Sequence, residues 1–256
     1  KGKMVAFTDF RSPPDFEGTW RQYIHVKAAD VIPFPEGTEA SKVCSLFINP
    51  LTVVYMITLA KEKGNKAIIH SAAASSLGKM LVQYAKKCDV TLINIVRKPE
   101  QVKILEDLGA DFILDSSTET FEEDLKKLAA EQEATAYFDA LTGSLTDTVL
   151  KAMPMKSTVY IYGKLDNKPV TLDLWHLHIT QKTIAYFTLL DFMTTISEEK
   201  KKEVFGEIIT DILTGGGIFE TKVHQILPLE KYEEAIESSI VHSTLGKTVF
   251  GPQLEE

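Results

Sequence analysis

Residues 66–85 read KAIIHSAAASSLGKMLVQYA, and this stretch decides the fold. It begins with an apolar run, Ala67-Ile68-Ile69, which is typical of a buried parallel strand. Small residues follow over 71–76, and after them apolar side chains recur at helical spacing on one face. A strand, a tight turn of small residues and a helix form the opening of a dinucleotide-binding βαβ unit.

The turn predicts a site for the pyrophosphate of a dinucleotide. In the frame G-x-G-x-x-G the three positions are Ala73, Ser75 and Gly78, so alanine and serine replace the first two glycines. The first helical amides, those of Ser76 and Leu77, are expected to face the phosphates, and a serine hydroxyl is a further donor. The same small residues are equally compatible with a close strand–helix turn that binds nothing.

Composition places the 256-residue chain among globular proteins, with 44% hydrophobic and 25% charged residues. The net charge of −8 argues against nucleic acid or an anionic membrane surface as the main partner. No apolar run approaches the roughly 18 residues of a membrane span, so we expect none. The two cysteines, Cys44 and Cys88, lie far apart and favour a reducing compartment over a disulfide or metal framework.

From Lys66 onward strand and helix patterns alternate. Strands are predicted over 67–71, 91–96, 112–114, 135–139 and 157–162, and helices over 76–87, 99–108, 119–131 and 144–152. This alternation predicts an α/β fold, a Rossmann-type doubly wound parallel sheet, to which the β-branched and aromatic run 183–190 adds a sixth strand. Ser144 and Asp147 are spaced as a helix capping box.

The flanking segments are predicted to mix short strands and helices. Before the alternating region, strands are predicted over 5–7, 20–26 and 31–32, a loop over 9–18, and helices over 39–47 and 50–63, the second capped by Asn49. After it, a helix is predicted over 198–213, capped by Ser197 and ended by glycines 215–217, followed by a strand, a helix and a strand over 222–227, 230–239 and 247–250.

Two basic residues stand where the second strand of the unit ends, and they indicate the cofactor. Folds that bind NAD place an acidic residue there to hold the ribose 2′-hydroxyl. Here Arg97 and Lys98 occupy that place, and a guanidinium matches a 2′-phosphate with paired, charge-assisted hydrogen bonds. The pattern favours NADPH over NADH. The alternative is a solvated strand end before the helix that begins at Pro99.

Further candidates lie at other strand ends, where ligands of open α/β sheets bind. Tyr162 and Gly163 end the fifth strand and residues 140–143 follow the fourth, so these could face the ribose and nicotinamide; ordinary turn chemistry is the alternative. His70 ends the first strand beside the turn, either as a cofactor neighbour or as a core histidine. His176 and His178 have no nearby third ligand, so we expect no metal there.

Six short motifs follow one another along nearly the whole chain: GTWRQY at 18–23, NPLT at 49–52, INIVR at 93–97, LGAD at 108–111, PLEKY at 228–232 and GKTV at 246–249. Together they resemble the medium-chain dehydrogenase/reductase superfamily. The nearest resemblance is to its zinc-independent branch of NADPH-dependent quinone oxidoreductases and trans-2-enoyl-thioester reductases.

The resemblance implies a GroES-like β domain divided between the two ends of the chain. Residues 1–49 would be the remainder of that catalytic domain, 50–192 the NADPH-binding Rossmann domain, and 193–256 the return to the catalytic domain. Roughly the first quarter of the family pattern would precede Lys1, together with the proton-donating tyrosine, so no catalytic residue is assigned. Thr52 resembles the family residue near the nicotinamide carboxamide; an ordinary helical threonine is the alternative.

The function expected from these features is hydride transfer from NADPH to a quinone or an activated alkene such as an enoyl thioester. The replaced fingerprint glycines motivate a second hypothesis, an inactive family member that serves as a structural or assembly subunit. A zinc alcohol dehydrogenase would need ligands outside this sequence. A homodimer through the edge strand 183–190 is expected, in a reducing compartment, either cytoplasm or mitochondrial matrix.

Overall fold

The structure is a computed structural model that describes residues 2–8, 18–242 and 244–251. Its strands, in chain order, are β1 Val5–Phe7, β2 Val31–Pro33, β3 Ala67–His70, β4 Thr91–Val96, β5 Phe112–Asp115, β6 Ala134–Asp139, β7 Thr158–Ile161, β8 Thr183–Tyr186, β9 Val223–Leu227 and β10 Lys247–Phe250. Its α-helices are α1 Ala40–Val43, α2 Ile48–Glu62, α3 Ser76–Lys87, α4 Pro99–Asp107, α5 Phe121–Glu131, α6 Ser144–Ala152, α7 Leu174–Ile179, α8 Leu189–Thr195, α9 Glu198–Thr214 and α10 Tyr232–Val241.

The chain forms two compact units. The central unit is Thr52–Thr195, and the flanking unit combines Lys1–Leu51 with Ile196–Glu256. These limits lie within a few residues of the predicted domain limits. The GroES-like identity of the flanking unit stays a prediction.

The central unit is built on a six-stranded sheet of order β5-β4-β3-β6-β7-β8, in which every neighbouring pair is parallel. The chain winds outward from β3 to β5 and then starts again beside β3 with β6. The strand order therefore reverses between β3 and β6, which is where open α/β sheets bind ligands. The predicted doubly wound parallel sheet is confirmed.

Helices cover the two faces of this sheet, which explains why its strands are apolar without alternation. On one face Ile69, Tyr137 and Val159 pack against α5 and α6, and all three are fully buried. On the other face Phe138 and Tyr160 stack at 5.2 Å between ring centroids. Each fully buried aliphatic or aromatic side chain contributes roughly 1.5–3 kcal/mol, so this core stabilises the sheet on both sides.

The flanking unit contains two small sheets and the longest helix described. β1 pairs antiparallel with β2, and β9 pairs parallel with β10. The helix α9 begins where predicted, because the Ser197 hydroxyl accepts the Lys200 amide at 3.1 Å, and it ends at Gly215, whose φ of +71° is left-handed. Such a φ is readily adopted by glycine, which has no Cβ.

One predicted strand is wrong. Residues 20–26 have no strand structure, and Tyr23 is 88% exposed. Apolar alternation produces a strand only when a neighbouring strand completes its ladder, and within the described ranges none lies beside this segment. Trp20 instead packs its ring on Phe250 at 5.0 Å. Residues 9–17 of the predicted loop lie outside the described residues.

Two predicted helices have different bounds, and one predicted helix cap is wrong. α1 is shorter than predicted, and α2 begins at Ile48, so Asn49 lies within its first turn instead of capping it. Gly143, with a φ of +79°, caps α6, so the capping box of Ser144 and Asp147 is wrong; Asp147 binds Lys151 at 2.6 Å instead. The other predicted boundaries before residue 183 lie within two residues of the observed ones.

The sixth strand is shorter than predicted, because β8 ends at Tyr186. The Phe187 amide still donates to Ile161, but the Thr188 hydroxyl then accepts the Asp191 amide at 3.2 Å and begins α8. The expectation about apolar length is also wrong, since Ala40–Glu62 is long and apolar enough for a membrane span. However, 61% of the apolar 18-residue stretch within this segment is buried inside the fold, as in the core helix of a globular domain.

Candidate functional site

The turn between β3 and α3 leaves no room for a side chain at Gly78. A Cβ built there would lie 2.2 Å from the carbonyl oxygen of Ala73 and 2.7 Å from its Cα. Real Cβ atoms do not approach backbone this closely, so only glycine fits. This is the role of the third fingerprint glycine, which lets the helix pack directly on the strand turn.

The first turn of α3 presents free amides to an anion. Ser75 is the N-cap, and its hydroxyl oxygen accepts the Gly78 amide at 3.1 Å. The amides of Ser76 and Leu77 therefore remain without an acceptor in the described structure, because the first helical amides have none within the helix. All three residues from Ser75 to Leu77 are half-buried and so reachable. The positive end of the helix dipole adds to this preference for an anion.

Ala72 adopts a left-handed φ of +54°, where glycine is favoured. This residue precedes the predicted fingerprint frame. The Ala73 amide then donates to Ile95 of β4 at 3.2 Å, which ties the turn to the neighbouring strand. The chain thus achieves the tight turn without the first glycine, at a strain of roughly 1 kcal/mol.

Arg97 is exposed at the end of β4, and its guanidinium has no ion pair or hydrogen bond with any described residue. Its amide is held by the Gln101 side chain at 3.1 Å, so the backbone position is fixed while the charge is free. Lys98 lies 3.8 Å from Glu100 and is partly neutralised. The Ser116 amide donates to Val96 at 2.8 Å, so the turn after β5 lies beside this strand end. Sequence reasoning missed Ser116.

Asp139, at the end of β6, organises the loop that follows it, and sequence reasoning missed it. The carboxylate is fully buried and accepts four hydrogen bonds. Its donors are the amides of Leu141 at 2.8 Å and Thr142 at 3.1 Å and the hydroxyls of Ser71 at 3.3 Å and Thr146 at 2.6 Å. Because Ser71 follows β3, this network joins the two strand ends on either side of the reversal.

The turns after β6 and β7 also pack closely on each other. A Cβ at Gly163 would lie 2.7 Å from the Ala140 carbonyl oxygen, so the two backbones touch there. The Leu165 amide donates to the same oxygen at 3.0 Å. Thr142 has a positive φ of +65°, which strains the backbone at a residue with a side chain, and Gly143 follows with a φ of +79°. The predicted residues 140–143, Tyr162 and Gly163 are therefore brought together.

His70 and Tyr162 meet across the sheet, although 92 residues separate them in sequence. The His70 Nε2 atom lies 2.7 Å from the Tyr162 hydroxyl, and the rings are nearly parallel. Burial lowers the pKa of His70 to about 3. Burial, and secondarily the charge of Asp139, raises the pKa of Tyr162. Both side chains are therefore neutral over the physiological range.

Other predicted residues lie apart from these contacts. Thr52 is 6% exposed within α2, and its role stays a prediction. His176 approaches the buried Lys182 at 3.4 Å, and Lys182 donates to the carbonyl of Leu150 at the end of α6. In the ranges that the structure describes, no cluster of three histidine, cysteine or acidic side chains could hold a metal ion.

Comparison with known proteins identifies the family. The profile of the zinc-binding dehydrogenase family matches residues 76–204, just over half of the chain. This chain belongs to the zinc-binding dehydrogenase family. The superfamily inferred from the six sequence motifs is thereby confirmed, and so is a Rossmann-type fold.

Proteins similar to this chain include two that are reductases by name. The mitochondrial enoyl-[acyl-carrier-protein] reductase of Mus musculus is 24% identical over 87% of this chain and 61% of its own length. A candidate NADPH:quinone reductase from Mesorhizobium loti has a TM-score of 0.76 and 28% identity over 88% of this chain and 64% of that one. A mycobacterial protein solved with NADPH has a TM-score of 0.66 and 21% identity over 88% and 69%. The chain thus spans less than two thirds of the first two.

Proposed function

We propose that this chain is the cofactor-binding part of an NADPH-dependent oxidoreductase that reduces a quinone or the activated alkene of an enoyl thioester. The observation that carries the proposal is the free guanidinium of Arg97 at the end of β4, the strand to which the Ala73 amide ties the turn before α3. The names of the relatives support the same class of reaction. The relatives that are named as reductases give no support to the alternative of an inactive structural subunit.

The residues of the turn fit a dinucleotide in a specific order. The amides of Ser76 and Leu77 would hold the pyrophosphate, and Arg97 would bind the 2′-phosphate of the adenosine half. Lys98 would add a weaker charge, since Glu100 partly neutralises it. The nicotinamide half would then lie over the ends of β6 and β7, on the other side of the strand reversal.

The chemistry divides between cofactor and protein. When bound, NADPH supplies the hydride. The buried Asp139 holds the β6 loop rigid, so the groups that face the nicotinamide half are fixed before binding. The stacked rings of Tyr55 and Phe187, 4.3 Å apart, and their neighbour Phe192 keep water from the sheet face beneath. Proton supply stays unassigned among the residues of this chain.

Removing the Arg97 charge tests the choice of cofactor. We expect Arg97→Gln to weaken NADPH binding by roughly 10- to 100-fold, because hydrogen bonds to charged groups contribute about 1.5–3 kcal/mol. NADH affinity should not change, since NADH has no 2′-phosphate. Titrating cofactor fluorescence measures both dissociation constants. Lys103→Gln is the matched control, because it also removes one positive charge. Lys103 lies on α4, where it pairs with Asp107. Equal weakening of both cofactors would contradict the assignment.

We also propose that two copies pair through β8. In the described sheet β8 has β7 on one side only, and Tyr186 is 72% exposed. The amides of Thr183 and Phe187 donate inward to Ser157 and Ile161, so by alternation the Tyr186 amide faces outward. A second copy could add its own β8 to this edge.

Blocking the outward amide tests this pairing. We expect the wild type to sediment as a dimer and Tyr186→Pro as a monomer, because proline removes the donor without disturbing the inward ladder. Tyr186→Thr keeps the amide and should remain dimeric. Sedimentation velocity over about a 100-fold range of concentration distinguishes the species. A wild type that stays monomeric at the highest concentration would exclude the dimer.

A further inference from the structure

Two exposed histidines of the flanking unit lie beside each other, although they come from different elements. His224 lies on β9, and His242 directly follows α10 as its C-cap. Their ring centroids are 5.1 Å apart, and the ring planes are inclined by 49°. Neither ring has a hydrogen bond or an ion pair with any residue that the structure describes. Both imidazoles therefore keep their nitrogens available to a ligand.

The backbone on both sides of this histidine pair is held in place. The His242 amide donates to the Ser238 carbonyl at 2.8 Å, which continues the last turn of α10. The chain then returns to β9 at Gly246. A Cβ at Gly246 would lie 2.5 Å from the Lys222 carbonyl oxygen and 3.0 Å from the His224 amide nitrogen. The fold thus brings the two imidazoles together, and little ordering is left for a ligand to impose.

The spacing of the rings suits a single metal ion between them. A histidine nitrogen lies about 2.0–2.1 Å from such an ion, which puts the ion about 3.2 Å from the ring centre. Two rings bound at right angles would then have centroids about 4.5 Å apart, and at the tetrahedral angle about 5.2 Å. The observed 5.1 Å lies within this range. Because no hydrogen bond to a described residue restrains either ring, each can turn a nitrogen towards the shared ion.

The ligand set selects the kind of ion. Ca²⁺ and Mg²⁺ prefer oxygen ligands, so neither is expected here. Zinc sites use four protein ligands where they are structural and three where they are catalytic. Within the described ranges no third histidine, cysteine or acidic side chain completes such a set. Ni²⁺ and Cu²⁺ bind imidazole nitrogen together with water at their other positions, and exposure of both histidines gives water access.

We propose that His224 and His242 form a two-histidine site for a divalent ion of the nickel or copper kind, with water at the remaining positions. The inference goes beyond the proposed function, because the site involves none of the residues assigned to the cofactor. A bound ion joins β9 to the end of α10. It therefore stabilises the folded flanking unit, since the unfolded chain does not hold the two ligands together.

Nickel is the suitable probe, because copper is redox-active and Cys44 is exposed. Calorimetric titration of the whole chain with NiCl₂ should show one saturable site. We expect His224→Gln and His242→Gln each to weaken binding by at least about tenfold, because one imidazole cannot chelate. His25→Gln is the matched control, since it removes an exposed histidine of the same unit. It should keep the affinity within about twofold of wild type.

The double variant distinguishes one shared site from two independent ones. If both histidines bind the same ion, combining the substitutions at His224 and His242 should weaken binding by no more than about twofold beyond either one alone. Ni²⁺ is paramagnetic, so the imidazole proton NMR signals of both histidines should broaden together in the wild type. A wild type without saturable binding, weakening by only one of the two substitutions, or broadening confined to other histidines would overturn the inference.

Discussion

Gly78→Ala is expected to lower the free energy of unfolding by about 3 kcal/mol or more and to abolish measurable NADPH binding. The added Cβ would lie 2.2 Å from the Ala73 carbonyl oxygen, and its three nearest neighbours are all backbone atoms of Ala73, so no flexible side chain can move aside. Overpacked sites cost about 1–3 kcal/mol even where side chains can adjust. α3 would have to move off the turn, and its first amides would move with it. Urea unfolding and cofactor fluorescence measure the two losses.

Gly206→Ala is the matched control for this substitution. Gly206 lies within α9, and a Cβ there would meet no atom within 4 Å. Alanine in an open helix interior is favourable by about 0.5–1 kcal/mol, so this variant should be as stable as the wild type or slightly more. A Gly78→Ala protein as stable as Gly206→Ala, with intact NADPH binding, would show that the turn does not need its glycine.

Acid should destabilise the wild type through His70. The pKa of His70 is about 3 in the folded chain, against an ordinary value of 6.5, because burial penalises the charged ring. Below pH 6.5 the unfolded chain therefore binds one more proton than the folded chain. The contribution of His70 to the free energy of unfolding has its full value above about pH 6.5. It falls by about 1.4 kcal/mol per pH unit as the pH drops towards 3.

Comparison with His70→Gln isolates this effect, because glutamine does not titrate. The contributions of the other titratable groups are common to both proteins and cancel in the difference. We expect the difference in unfolding free energy between wild type and variant to fall by roughly 2 kcal/mol between about pH 7 and pH 5. Urea titrations at several pH values measure it. A parallel curve for His70→Gln would mean that His70 titrates normally in the fold.

The sheet could be predicted because its signals are local. Each strand from β3 to β7 is a short apolar run, and each helix that follows has a one-sided apolar pattern with a start or stop residue. Gly78 and Arg97 could be found for the same reason, since their chemistry depends on their place in one strand–turn–helix unit. The strand predicted at 20–26 failed because alternation alone does not supply a neighbouring strand.

The interior of the candidate site depends on contacts between distant residues, and these could not be predicted. Asp139 resembles an exposed turn residue in sequence, yet it is fully buried because donors from two loops converge on it. The one available signal was its place at the end of an apolar strand. The pair of His70 and Tyr162 needs the strand order β3-β6-β7, which places residues 92 positions apart within 2.7 Å.

We propose above all that a nucleotide phosphate binds the first turn of α3, with Arg97 holding the adenosine end. Amide chemical shifts recorded during an NADPH titration of the whole chain test it most directly. We expect the largest changes at the Ser76 and Leu77 amides, with smaller ones near Arg97, and a saturable response. Saturation with NADPH that leaves the Ser76 and Leu77 amides unmoved would contradict the account.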